Sequence, residues 1–182
     1  MDRYVLITGS AGLIGSEAVE FFAKKKFKII GIDNNYRKFF FGNGGSIEKR
    51  NQQLKKKHKN YKHLNLNLND FNKIKNIFSS FNSKIKLIIH TAAQPSHDWA
   101  LKNPLLDFDI NARSTLNLLE CFKKYCSKSS FIFLSTNKVY GDLPNKFSFQ
   151  EQKLRFEINK NSIYYSRGIN EKLSIDNNVH SL

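Results

Sequence analysis

Residues 4–16 read YVLITGSAGLIGS, an apolar run from Tyr4 to Thr8 followed by glycines at 9, 12 and 15. A short continuous apolar run is the pattern of a strand buried on both faces. After the glycines, Ile14, Ala18, Phe21 and Phe22 recur at i, i+4, i+7 and i+8, which predicts a helix with those residues as its core stripe. A turn of this kind brings backbone close to a bound anion. Glycine allows the tight bend, removes the side chain that would block a pyrophosphate, and lets the helix amino terminus aim its free N–H groups at negative charge. A glycine triplet alone says little. Here it follows a strand, opens a helix, and precedes Asp33, eighteen residues beyond Gly15 at the end of the next strand pattern.

Working outward, FKIIGID at Phe27–Asp33, LIIHTA at Leu87–Ala92 and FIFLS at Phe131–Ser135 repeat the buried-strand pattern, with a weaker strand over His63–Leu68. Asp70 can cap a helix whose core face is Ile74, Ile77, Phe78 and Phe81, and Ala112, Leu116, Leu119 and Phe122 mark a longer helix. Strands alternating with helices define an α/β protein, here a Rossmann-type doubly wound parallel sheet. No internal repeat of solenoid period is present, and residues 42–60 read as polar helix or loop.

Composition sets the limits. At 182 residues and 40% hydrophobic content, one core is expected, hence a single domain over 1–182. No apolar run approaches bilayer length, and the strand pattern begins at Tyr4 without a charged-then-apolar leader, so a cytoplasmic protein without a membrane partner is expected. Cys121 and Cys126 suit no metal-ligand spacing and read as reduced core thiols; His90 reads as a packed strand-end histidine, and no metal site is expected. A formal net charge of +15 is the usual footprint of a nucleic-acid binder. The lysines are scattered, however, and the densest cluster, KKKHK at Lys55–Lys59, has no aromatic interleaving, so nucleic acid is not the expected partner.

At its place after the second strand, Asp33 would accept hydrogen bonds from both hydroxyls of an adenosine ribose and repel a 2′-phosphate, favouring NAD over NADP. Arg37, four residues on, could instead serve a phosphate; a solvated loop arginine is the other reading.

The spacing of Gly9, Gly12 and Gly15 resembles that of the extended short-chain dehydrogenase/reductase superfamily, the nucleotide-sugar epimerases and dehydratases. HTAAQPS (His90–Ser96) is similar to its fourth-strand segment, Asn111 stands where the family has a structural asparagine, and STNKVYGD (Ser135–Asp142) resembles its fifth-strand segment. Within that superfamily GLIGSEAV, GIDNN, HTAAQPSHDWA, DFDIN and STNKVYGD resemble the CDP-paratose 2-epimerases. The resemblance implies a cofactor site made of Gly9, Gly12, Leu13, Ile14, Gly15, Asp33, Asn34, Asn67, Leu68, Ala92, Ala93, Gln94 and Asn111, with Asn67 in place of the aspartate that many relatives set against adenine. It implies Thr136 as the catalytic hydroxyl on the sugar oxygen, Ser135 as inward and structural, and His97 and Asn137 as substrate contacts, with His97 and Asp98 in a substrate-side loop. A CDP-linked nucleotide-sugar substrate, a homo-oligomer and a place in lipopolysaccharide O-antigen biosynthesis are implied for the full-length family.

That family draws its general base from a Y-x-x-x-K helix, in which lysine at i+4 lowers the phenol pKa. None of the tyrosines here has such a lysine; Tyr140, for instance, meets Pro144. The final NVHSL resembles the run leading into that helix. The expectation is therefore an amino-terminal, cofactor-binding part of an epimerase, its sheet incomplete at the carboxy-terminal side and its base and substrate domain lying beyond Leu182. An uncovered sheet face, at Leu87, Ile89, Ile132 and Leu134 or at their alternates, follows. In full-length form the enzyme would oxidise C2 of CDP-paratose and return hydride to the opposite face. A related 4-epimerase or dehydratase, or a non-catalytic dinucleotide-binding module, are the alternatives.

Overall fold

The apolar run at the amino terminus becomes strand β1 (Tyr4–Thr8), paired in parallel on one side with β2 (Lys28–Ile32) and on the other with β4 (Ile85–His90). With β3 (Tyr61–Leu64) and β5 (Ser130–Phe133) outside these, the sheet order is β3-β2-β1-β4-β5 and every pairing is parallel. The chain starts in the middle of its sheet, builds outward to β3, then crosses back to β4. A crevice therefore opens at the carboxy ends of β1 and β4, where the winding reverses. The computed structural model describes residues 2–136, 139–166 and 168–175. These form two compact units, residues 1–134 and 135–182. The second contains a hairpin of β6 (Phe149–Glu151) and β7 (Phe156–Ile158) and a stacked Phe147–Tyr164 pair.

Alternation along β1 divides the core of the first unit. Val5 and Ile7 face one way, with Val19 and Ala23 of α1 (Leu13–Lys24), Leu54 of α3 (Glu48–Lys57), Ile29 and Ile89. Leu6 faces the other, with Ile74 and Phe78 of α4 (Phe71–Phe81) and Leu118 and Cys121 of α7 (Ser114–Tyr125). Both cysteines are buried and free, and burial pushes the Cys126 thiol up to about 11. The Asp70 carboxylate caps α4 by accepting the Lys73 N–H at 3.2 Å.

Several expectations need correction. The buried face of α1 is Gly15, Ser16, Val19 and Ala23, with Ala18 and Phe22 partly covered; Ile14 and Phe21 are exposed. The small residues set the helix close to the sheet, which leaves no depth for the bulkier ones. In α7 the buried residues are Ser114, Leu118 and Cys121, whereas Leu116 and Leu119 are exposed. A single π turn at Asp109–Arg113, between α6 (Pro104–Phe108) and α7, shifts the helical phase there. The weaker strand lies at Tyr61–Leu64 rather than His63–Leu68, in register with Ile29–Ile32; the polar stretch 42–60 contains α3, in line with its reading as polar helix or loop. Ile89 is buried and Leu87 half-buried under α1 and α3, so only Ile132 and Leu134 of the expected uncovered face are exposed.

His90 locks three elements together. Its Nδ1 lies 2.6 Å from Thr8 Oγ1 and its Nε2 2.9 Å from Thr115 Oγ1, and the Thr115 hydroxyl donates to the Asn111 carbonyl at 2.6 Å. A neutral imidazole with its hydrogen on Nε2 satisfies this chain. Burial lowers the His90 pKa from 6.5 to about 4. The unfolded chain thus takes up a proton below pH 6.5 that the folded chain refuses until about pH 4, so stability is full above that window and falls as pH drops through it. Urea unfolding should lose about 2 kcal/mol between pH 7 and pH 5 from this group, with half-buried His63 adding in the same direction. His90→Gln should flatten the slope; an unchanged slope would mean that the histidine is not the group responsible.

Candidate cofactor site

The turn between β1 and α1 is built for closeness. Gly9 has φ 62°, and a Cβ there would stand 2.9 Å from both the Ala92 nitrogen and Thr91 Oγ1. A Cβ on Gly15 would fall 2.1 Å from the Gly9 carbonyl oxygen, so helix and turn can pack only with glycine. Gly12 is different: its Cβ would meet only the Gly9 oxygen at 3.2 Å, so its missing side chain leaves open space rather than relieving a clash. Gly12 is also the N-cap of α1, with no side-chain cap and no acid in the first turn. The leading N–H groups of a twelve-residue helix therefore face that space without an intrahelical acceptor.

Asp33 stands beside the turn. Its Oδ2 accepts the Ala11 N–H at 3.2 Å and its Oδ1 accepts the Asn35 N–H at 3.0 Å, which fixes the carboxylate between the glycine turn and the segment after β2. A cavity of about 280 Å³ opens here. Of the residues expected from sequence, Gly9, Gly12, Leu13, Ile14, Gly15, Asp33, Asn34, Asn67, Leu68, Ala92 and Ala93 line it. Asn67 donates from Nδ2 to the Tyr36 hydroxyl at 3.3 Å, while its Oδ1 accepts the Asn69 N–H.

Gln94 and Asn111 are not among the lining residues; they act on the wall from behind. Asn111 Oδ1 accepts the Gln94 N–H at 2.9 Å and its Nδ2 donates to the Gln94 carbonyl at 3.2 Å. Both side-chain amides also donate to Asp107 Oδ1. His97 and Asp98 begin α5 (His97–Lys102) rather than forming a loop, because Ser96 caps that helix by accepting the Trp99 N–H at 3.3 Å. Thr136 and Ser135 belong to the second unit and are exposed, which corrects the inward placement of Ser135: β5 ends at Phe133. Asn137 lies outside the described residues.

Of the rim, sequence reasoning weighed only Arg37. Tyr36, Arg37, Phe40 and Phe41 of α2 (Tyr36–Phe41) line the cavity with Ile47, Leu66 and Pro95. Arg37 sits on this helix rather than in a loop, with its guanidinium 5.2 Å from the centre of the Phe41 ring. The signal available was YRKFFF itself, four aromatics in six residues that begin three positions after Asp33.

A crevice at a strand-order reversal, a glycine turn under an uncapped helix and a fixed carboxylate after β2 define a Rossmann-type domain with a candidate dinucleotide site. The chain belongs to the family of GDP-mannose 4,6 dehydratase, whose model matches residues 6–164. It is 30% identical over 152 residues to the CDP-paratose 2-epimerase of Salmonella typhi, an alignment that takes in 84% of this chain and 42% of the relative. The solved UDP-Glc/GlcNAc 4-epimerase of Campylobacter jejuni is 30% identical with a TM-score of 0.64, covering 77% of this chain and 39% of that one. The UDP-glucose 4-epimerase of Thermus thermophilus, solved in complex with NAD, gives a TM-score of 0.62 at 27% identity over 82% of this chain and 43% of that one. The chain thus spans about two fifths of the length of these relatives. Among the described residues no helix is long and apolar enough to cross a membrane.

Proposed function

We propose that residues 1–182 are the NAD-binding part of a nucleotide-sugar epimerase whose reaction is the C2 epimerisation of CDP-paratose to CDP-tyvelose. The observation that carries the cofactor half of this reading is the Asp33 carboxylate, held by the Ala11 and Asn35 N–H groups at the edge of the cavity above the glycine turn. Gly12 and the first turn of α1 would hold the pyrophosphate, Asp33 the adenosine ribose, and Asn67 and Leu68 the adenine. The wall of Ala92 and Ala93, backed by Gln94 and Asn111, would lie along the nicotinamide half. Bound NAD supplies a hydride acceptor for the sugar carbon. Thr136 would orient the sugar hydroxyl, with His97 and Asn137 toward the substrate. The CDP-paratose assignment rests on the Salmonella typhi relative and on the segments shared with that family; the Campylobacter jejuni and Thermus thermophilus structures favour a 4-epimerase as the second reading.

Calorimetric titration tests the cofactor assignment. NAD should bind more tightly than NADP, and Asp33→Ala should weaken NAD by about 1–3 kcal/mol through loss of the paired ribose hydrogen bonds. Equal or reversed affinities would assign the ribose contact to Arg37.

A further inference from the structure

The aromatic rim joins two parts of the chain that the sheet keeps apart. Phe40 lines the cavity, and its ring meets the Trp99 indole edge-on with centroids 4.9 Å apart; Phe39 meets the same indole at 5.2 Å. Phe39 and Phe40 also pack on each other and on Tyr36. The helix carrying them, α2, follows β2, and the helix carrying Trp99, α5, follows β4, while β1 lies between those strands. All three strands are parallel, so both helices leave the sheet at the end where β1 gives way to the glycine turn. An α2–α5 contact must therefore span the crevice.

The ends of α2 differ. Asn35 before it has φ 59° and is tied on two sides: its N–H donates to Asp33 Oδ1 at 3.0 Å, and its Oδ1 accepts the Ile47 N–H at 3.0 Å. Gly42 after it has φ 66°, and a Cβ there would meet nothing within 4 Å. One end of the helix is fastened to the proposed ribose carboxylate, and the other has room to turn.

We infer that Phe39, Phe40 and Trp99 form a strap across the bound dinucleotide and that opening of this aromatic contact sets the rate of cofactor exchange. This rests on the NAD reading above. An epimerisation is redox-neutral overall, so the reduced dinucleotide must stay in place between removal and return of the hydride. Phe40 and Trp99 are positioning residues in this scheme and have no part in the chemistry.

Trp99 is the single tryptophan of the chain, so its emission, transferred to NADH, reports on the strapped complex. The experiment loads the full chain with NADH, chases with excess NAD in a stopped-flow instrument, and repeats this for Phe40→Ala. Trp99→Ala and Trp99→Phe are followed by the emission of NADH itself. Losing the aromatic contact should raise both uptake and release of NADH by about 2- to 12-fold in the two alanine variants. Trp99→Phe, which keeps a ring, should stay nearer the parent, and thermal melting should move little. Should Phe40→Ala fail to fold, Phe40→Leu keeps the bulk without the ring and should show the same acceleration. Folded variants that bind NADH and exchange it at the parent rate would overturn the strap. A parent chain that takes up no NADH by calorimetry would remove the NAD reading itself and the strap with it.

Discussion

Incubated with CDP-paratose and NAD, the 182-residue chain should leave C2 unchanged, with turnover lower by about 10²–10⁴-fold than in family members that carry the Y-x-x-x-K pair. Oxidation of an alcohol requires the hydroxyl proton to leave as the hydride does, and a hydroxyl such as Thr136 can orient that group without accepting its proton at neutral pH. None of the seven tyrosines has a lysine at i+4. Where the described tyrosines are engaged, they are engaged elsewhere. Tyr61 bonds to Ser10 Oγ at 3.0 Å, and burial pushes its pKa up to about 12, the wrong direction for a base. The Tyr140 hydroxyl donates to the Asn170 carbonyl at 2.9 Å. Chromatography of the CDP-sugars after prolonged incubation makes the measurement. Formation of CDP-tyvelose at the rate of a Y-x-x-x-K enzyme would defeat the expectation and direct attention to Tyr140 and Tyr165 as substitute bases.

The second large effect concerns association. Among the described strands β5 pairs only with β4, and Ile132, Phe133 and Leu134 are 45%, 54% and 41% exposed. Leaving three such side chains half in water forgoes roughly 2–5 kcal/mol, a large share of the about 5–15 kcal/mol that holds a domain together. Leu101, Leu105, Phe108, Leu116 and Leu119 add further exposed apolar surface along α5 to α7. An open strand edge beside apolar surface is also a template for pairing with another chain. A micromolar sample should accordingly bind an apolar-surface dye and sediment faster than a monomer, and Ile132→Lys should reduce both signals. A monomer that leaves the dye dark would show that this surface is covered in solution.

The sequence announced most of this architecture because its strands are short, apolar and separated by helices, a pattern that few other arrangements satisfy. The glycine turn and Asp33 were legible for the same reason: their chemistry depends on spacing, and spacing is what a sequence displays. Burial within the helices was less legible. Apolar residues at helical intervals mark one face of α1 through Ile14 and Phe21, yet the face that packs is the one with Gly15, Ser16 and Ala23, since close approach to a sheet selects small residues over hydrophobic ones. The roles of Gln94 and Asn111 were half visible. Their motif placed them near a cofactor, and only three-dimensional contact reveals that they act through the backbone wall. The contact that joins Trp99 to the aromatic rim was invisible, because Trp99 lies about sixty residues from Phe40 and no local rule links the two.

The π turn at Asp109–Arg113 has a meaning for how this chain can vary over descent. It holds one residue more than a regular turn would, and a residue is worth about 100° of helical rotation. Replacing any one of its side chains leaves that count intact. Deleting one would force either α6 or α7 to rotate by about 100°, carrying Leu118 and Cys121 off the sheet or pulling Asp107 away from the amides of Gln94 and Asn111. The segment is thus held to a fixed length at every position, and at Asn111 to its letter as well, because that side chain braces the Gln94 backbone.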